Sequence, residues 1–273
     1  MAPALSLSRQ TLSAPHRLAP EIGELVVHTV AWDPQQRDNE DALLVHLSPH
    51  SCVLTVADGA GGAPSGAEAA KIAIAAMEAE LKNDPEQLRL SILNGFETAN
   101  REVLNLGVGA ATTLSAVELR RTPEGIVMRT YHVGDSSILV IGGRGKLKFS
   151  TISHSPVGYG VEAGLIEPEE ALHHEDLNIV SNMIGMKNMR IEVGSELRLA
   201  QRDTVLIGSD GLFDNLRTHE IIERVGARDL TEVATSLAQL ASERMREVDV
   251  GNPSKPDDTT FALFRGARLG HRS

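Results

Sequence analysis

Five short stretches of the chain carry the residue types that hold hard cations. They are Asn39-Glu40-Asp41, Asp58-Gly59 in "VADG", Asp135 in "VGDS", Asp210 in "SDGLFDN" and Asp257-Asp258 in "PDDTT". Divalent cations such as Mg²⁺ and Mn²⁺ take oxygen ligands, and Mg²⁺ keeps several waters while using few carboxylates. Two such ions close together can share a water and lower its pKa towards neutrality. The glycines after Asp58 and Asp210 let backbone approach closely, so the Gly59 carbonyl is itself a candidate ligand. Taken singly, each stretch has a plainer explanation. Asp-Gly is a common turn, "NED" reads as a solvated loop, and "GDSS" reads as a turn capped by its own side chain. What makes them interesting together is position, because each lies at the boundary of an apolar run.

Those runs are short and rich in β-branched residues: "ELVVHTV", "DALLVHL", "CVLTVAD", "TLSAVEL", "IVMRTYHV", "SILVIGG", "KLKFSTI", "DTVLIGS" and "TTFALFR". Only a few turn residues separate several of them, which predicts antiparallel hairpins. Strand ends are rigid places from which side chains can converge. Three long helices are expected, besides a short one over "PEEALHHEDL". One covers "SGAEAAKIAIAAMEAELK". A second places Leu88, Ile92, Phe96, Ala99 and Val103 on one stripe, and a third turns Leu230, Val233, Leu237 and Leu240 inward. Many antiparallel strands with a few long helices make an α+β fold. Residues 22–266 read as one domain, preceded by a loosely ordered lead-in over 1–21 and followed by a short tail over 267–273.

Composition narrows the function. The chain has 273 residues, 41% hydrophobic and 23% charged, within the range of soluble globular domains. A net charge of −11 speaks against general nucleic-acid binding, which needs a basic surface. It leaves an anionic substrate open, because bound cations invert the local field. No apolar run approaches the ~20 residues of a membrane helix, and the first twenty residues lack the continuous apolar core of a secretion signal. Cys52 is the one cysteine and cannot form an internal disulfide, so a cytoplasmic setting is expected.

The order "NED … VADGAGG … VGDSS … SDGLFDN … DDTT" resembles the metal-dependent protein serine/threonine phosphatases of the PPM, or type 2C, family, in its bacterial branch. Residues 154–185, closing on "N-x-V … IG", also resemble that branch's segment between the GDS and SDG motifs. The resemblance runs from about Arg37 to Arg265. It implies two antiparallel sheets sandwiched between helices, a four-layer αββα fold, with a metal site at one end. It further implies two Mn²⁺ or Mg²⁺ ions held by Asp58, the Gly59 carbonyl, Asp210 and Asp257. Glu40, Asp41 and Asp258 would support them, Asp258 standing where the family usually has Asn. A weaker third ion would look to Asp135, Asp210 and Asp214. The implied reaction is hydrolysis of phosphoserine and phosphothreonine on proteins by a metal-bridging hydroxide, with no protein nucleophile, opposing a kinase.

Two departures from the family pattern stand out. The phosphate-gripping Arg is replaced by Gln36, with Arg37 one residue later as its stand-in. Ala60 occupies a position where the eukaryotic branch often carries His, so leaving-group protonation would fall to water. Other features read more plainly. His173 and His174 sit on a solvated helix face, while His154 reads either as a substrate contact or as a loop histidine bonded to backbone. "GYGVEAG" has the wrong spacing for a dinucleotide loop, "GGAPSG" lacks the Lys of a P-loop, and Trp32 offers no base-stacking platform. Two further readings compete with the phosphatase. One is a catalytically silent relative acting as sensor or scaffold, and the other is a phosphohydrolase of small molecules.

Overall fold

The computed structural model describes residues 4–33, 38–60, 64–84, 87–226, 228–247 and 251–267. In chain order the elements are β1 (Ala4–Ser8), β2 (His16–Leu18), β3 (Gly23–Val30), β4 (Asp41–Ser48), β5 (Ser51–Ala60), α1 (Pro64–Asn83) and α2 (Leu88–Asn105). Then come β6 (Ala111–Thr112), β7 (Leu114–Thr122), β8 (Gly125–Val133), β9 (Ser137–Gly142), β10 (Lys146–Ser150), α3 (Pro156–Glu162) and α4 (Pro168–Ala171). The chain closes with β11 (Glu192–Val193), β12 (Leu197–Leu199), β13 (Thr204–Gly208), α5 (Asp210–Phe213), α6 (Thr218–Val225), α7 (Leu230–Arg246) and β14 (Thr259–Gly266).

The strands form two antiparallel sheets. One runs β1-β4-β5-β7-β8-β11, with β6 beside β5 and β12 beside β8. The other runs β10-β9-β13-β14-β3-β2. Most strands are buried on both faces, which is why they read as continuous apolar runs and do not alternate with polar residues. Alternation still sorts their side chains into layers. Leu43, Val45, Leu54 and Val56 of the first sheet meet Leu25, Val27, Val205, Ile207, Ala262 and Phe264 of the second. Ala42, Leu44 and Val53 face the other way, onto α1 and α2, where Ile74, Met77, Ile92 and Phe96 cover them. On the far side Val26, Leu206, Phe261 and Leu263 pack against α6 and α7 through Ile221, Val225, Val233 and Leu237. The order is helix, sheet, sheet, helix, and full burial of each such aliphatic or aromatic side chain contributes ~1.5–3 kcal/mol.

The expected long helices form over the expected stretches. Leu88, Ile92, Phe96, Ala99 and Val103 are all buried on α2, while on α7 Leu240 is only half-buried. The expected lead-in is a correction. Ala4–Ser8 pairs with β4 in register from Ala4↔His46 to Ser8↔Ala42, His16–Leu18 pairs with β3, and Leu7 belongs to the inter-sheet core. "ALSLS" alternates apolar and polar residues, as an edge strand covered on one face requires, but five residues are a weak signal. Of the tail, only Ala267 falls among the described residues.

Candidate metal centre

The layer alternation that builds the inter-sheet core carries on past its end. Counting by twos from Leu43 leads to Asp41, and from Val56 to Asp58. From Ile207 it leads to Ser209, and from Ala262 through Thr260 to Asp258. At one end of the sandwich, polar residues therefore take the positions that core aliphatics hold further in. Asp41, Ser209 and Asp258 are each at most 2% exposed. Asp41 and Asp58 are direct cross-strand partners. The Ser209 hydroxyl donates to Asp41 Oδ2 at 2.7 Å and accepts the Thr260 N–H at 3.0 Å, tying the two sheets together. Asp258 accepts the backbone N–H groups of Trp32 (2.8 Å) and Glu40 (2.7 Å).

Above this layer a cavity of about 590 Å³ is lined by Glu40, Asp58, Gly59, Asp135, Asp210 and Asp257. Lys255, Thr113 and, from the 154–185 segment, Asn178, Val180 and Met183 complete its walls. The residues expected to hold two ions are thus brought together. Glu40 and Asp135 join them in the wall, while Asp41 and Asp258 lie buried beneath. Asp214 caps α5 next to the site, its backbone N–H on the Asp210 carbonyl at 2.7 Å. Arg37 and Gln36 lie outside the described residues.

Two glycines are required by close packing. A Cβ on Gly59 would stand 2.4 Å from the Gly66 carbonyl oxygen, because the first turn of α1 rests on it. Gly134 has φ +111°, and a Cβ there would lie 2.6 Å from Thr113 Cβ. Thr113 in turn accepts the Asp58 N–H at 3.0 Å and shares a 2.7 Å hydrogen bond with Ser136, so the "GDS" turn and the "ADG" strand end are fastened together.

The electrostatics fit cations. Burial, and after it the charge of Asp210, pushes Asp58 well above the carboxylate range. The same two causes raise Asp135 to about 7, Asp257 to about 7 and Asp214 to about 8. Asp41 is raised by burial and then by Asp258. So many buried acids cannot all ionise without positive charge among them. Part of that charge is Lys255, whose ammonium contacts Asp210, Asp214 (2.9 Å) and Asp257 (3.7 Å). Burial opposes its charge, but Asp210 and Asp214 outweigh burial and hold its pKa above the ordinary value. The other Asp210 oxygen, Oδ1, is buried with no hydrogen-bond partner, an atom placed for a cation to satisfy.

Among the described residues, one group of three has its ligand atoms mutually within 4.8 Å, and it lies outside this cavity: His132, His154 and Glu192. Among the described residues, no three acids of the cavity bring their carboxylate oxygens that close together. The histidine group is tied together by hydrogen bonds as a clasp. His154 Nδ1 accepts from Gly134 N–H (3.1 Å) and the Asn182 amide (2.9 Å), which leaves the proton on Nε2 to reach Glu192 at 3.2 Å. His132 Nε2 donates to the Ile152 carbonyl at 2.9 Å. With both His154 nitrogens engaged, a cation would have to displace a proton from a ring already accepting two hydrogen bonds. His154 is therefore a buried loop histidine and not a substrate contact. His173 is exposed and His174 half-buried, and α4 ends before both.

Residues 34–248 match the sequence pattern of the family described as Protein phosphatase 2C, so the chain belongs to that family. A putative protein phosphatase 2C-type of Streptococcus pyogenes is 29% identical over 203 residues, 70% of this chain and 80% of that one. The serine/threonine protein phosphatase PstP of Mycobacterium tuberculosis is also 29% identical, over 212 residues, which are 75% of this chain and 39% of that longer protein. Among solved structures, the S. agalactiae serine/threonine phosphatase superposes with a TM-score of 0.72 at 27% identity, covering 88% of this chain and 99% of that one. The catalytic domain of PstP in complex with two manganese ions superposes with a TM-score of 0.69 at 23% identity, covering 90% and 99%. The four-layer fold is the fold of these neighbours.

Lys255, Thr113 and Ser209 were not singled out as site residues from sequence, and His154 was weighed without its partners Asn182 and Glu192. Only Ser209 had a signal, in the "SDG" motif.

Proposed function

We propose that this chain hydrolyses phosphoserine and phosphothreonine on proteins, opposing a serine/threonine kinase. We propose further that Asp58, the Gly59 carbonyl, Asp210 and Asp257 hold two Mn²⁺ or Mg²⁺ ions. The observation that carries the reading is the buried, unpartnered Oδ1 of Asp210 inside a cavity walled by Asp58, Gly59 and Asp257. When bound, such a pair supplies Lewis acidity towards the phosphoryl oxygens and a water acidified to near neutral pKa.

The chain's own residues orient and support. Asp41 and Asp258, buried beneath the cavity, fix the strand ends that present Asp58 and Glu40. Thr113 fixes the backbone of Asp58. Cys52 is no nucleophile, since it is fully buried in β5 and burial raises its thiol far above the usual range. Arg37 is proposed as the phosphate grip, and its replacement by Ala is expected to raise KM more than it lowers kcat. The buried, lone Cys52 supports a cytoplasmic setting, and among the described residues no helix is long and apolar enough to cross a membrane.

A silent scaffold is not favoured, because Asp58, Asp210 and Asp257 are all present and line one cavity. The deciding experiment is phosphate release from a phosphothreonine peptide, with Mn²⁺ and with EDTA. Release that requires metal supports the reading, and no release under either condition overturns it. A kcat/KM for free phosphoserine above that for the peptide would point to a small-molecule hydrolase.

A further inference from the structure

We propose that Lys255 is a built-in cation of this centre: its ammonium occupies the corner between Asp210 and Asp214, so the chain takes up two divalent ions and not three. This rests on the two-metal reading above and concerns only how the remaining negative charge is balanced.

Lys255 is held by its backbone before its side chain is considered. It lies in the segment leading into β14, and its N–H donates to Asn215 Oδ1 at 2.8 Å. Asn215 Nδ2 donates back to the Lys255 carbonyl at 2.9 Å and also to Gly211 O at 2.9 Å. Asn215 is itself fully buried at the end of the "SDGLFDN" stretch. The two segments that carry Asp210 and Asp257 are thus clipped to each other at Lys255, and Pro256 stiffens the step to Asp257.

From that anchor the ammonium meets Asp210, Asp214 and Asp257. An ammonium has three donors, and here three carboxylates face it. Its contact on Asp210 is Oδ2, while Oδ1 stays buried without a partner. The two oxygens of one carboxylate are therefore divided, one for the fixed monovalent cation and the other for a divalent ion. Asp135 and Asp214, which the family resemblance offers to a third ion, share this corner: Asp210 and Lys255 are among the strongest charges acting on both. A divalent ion entering there would have to evict an ammonium tethered through Asn215.

Metal stoichiometry tests this on the full chain, by calorimetric titration of Mn²⁺ into metal-free protein with elemental analysis of the saturated sample. Wild type and Lys255→Arg are expected to bind two equivalents, and Lys255→Met a third at millimolar Mn²⁺. Asp214→Asn in the wild-type background is expected to stay at two, and this arm decides the matter if Lys255→Met does not fold. Three equivalents in wild type, falling to two in Asp214→Asn, overturn the inference, as does a folded Lys255→Met that stays at two. No uptake by wild type overturns the two-metal reading and this inference with it.

Discussion

Asp41 and Asp58 face each other directly across the β4–β5 ladder, two carboxylates on the same side of one sheet at the end of the inter-sheet core. Like charges in that relation destabilise a sheet unless something positive lies between or beside them. Asp58 is raised by burial and by Asp210, Asp41 and Asp257. A carboxyl whose folded pKa is raised leaves stability intact below its unfolded pKa and costs stability as pH climbs towards the folded value. Metal-free Asp58→Asn is therefore expected to match wild type near pH 4 and to melt higher at pH 8. Its phosphatase activity should fall by about 10³-fold, the scale on which removal of a strong electrostatic contact acts. Wild type, in contrast, should gain roughly 5–10 °C in Tm at Mn²⁺ about a hundredfold above Kd, a shift Asp58→Asn loses. Equal metal-induced shifts in the two proteins would remove Asp58 from the centre.

Ser209 supports Asp41 from the opposite sheet. Its hydroxyl donates to the buried carboxylate and accepts a backbone N–H from β14. Ser209→Ala leaves both groups short of a partner, at a cost of about 1–3 kcal/mol. Because Asp41 holds its place beside the proposed ligand Asp58, metal affinity should drop about 10–100-fold, as it does when groups behind a ligand are lost. Urea unfolding and Mn²⁺ titration measure the two effects separately. Unchanged affinity in a destabilised protein would make Ser209 a structural tie alone.

The acids were legible in the sequence because metal chemistry restricts residue type and strand ends restrict position, and each leaves a local mark. Asp58 follows "CVLTVA" and Asp210 follows "DTVLIGS", so a reader of strands arrives at both. Lys255 left no mark. It is a lysine in a loop, and only the fold brings its ammonium to Asp210, 45 residues earlier in the chain. The same holds for Thr113, whose meaning comes from reaching Asp58, 55 residues back. Helix α3 was not anticipated: Ser155-Pro156 is a helix-start signal, and Ser155 does accept the Gly158 N–H, but Gly158 and Gly160 weaken the helical pattern. β1 went unread for the opposite reason: its alternation is clear, but only the partner strand β4 gives five residues a reason to be extended.

His154 holds the segment of residues 153–185 to the turn that carries Asp135. Besides the ring bonds to Gly134 and Asn182, its backbone N–H donates to the Gly134 carbonyl at 3.0 Å, and its carbonyl accepts from Ser181 at 2.8 Å. His154→Ala leaves one N–H of the Asn182 amide and the Gly134 N–H unpaired in a buried place and opens a void beside His132. A loss of about 2–4 kcal/mol is expected, with faster proteolysis between residues 156 and 180. Since Asn178, Val180 and Met183 wall the cavity, KM for a phosphopeptide should rise. Stability within about 0.5 kcal/mol of wild type, the scale of ordinary surface changes, would contradict the clasp.

His28 is expected to give the protein a pH dependence separate from that of the acids. It lies on β3 with its ring 5.5 Å from that of Phe261 and is 6% exposed. Nδ1 has no hydrogen-bond partner, and burial lowers the pKa to about 4. Because the folded pKa is depressed, the folded state excludes the proton that the unfolded chain accepts below about 6.5. The stability held above that value is lost as pH falls from 6.5 towards 4. At pH 5 the loss amounts to about 2 kcal/mol. His28→Leu, which cannot titrate, should gain on wild type by that amount between pH 8 and pH 5 in matched urea titrations. Parallel curves for the two proteins over that range would show that His28 keeps or finds its proton within the fold.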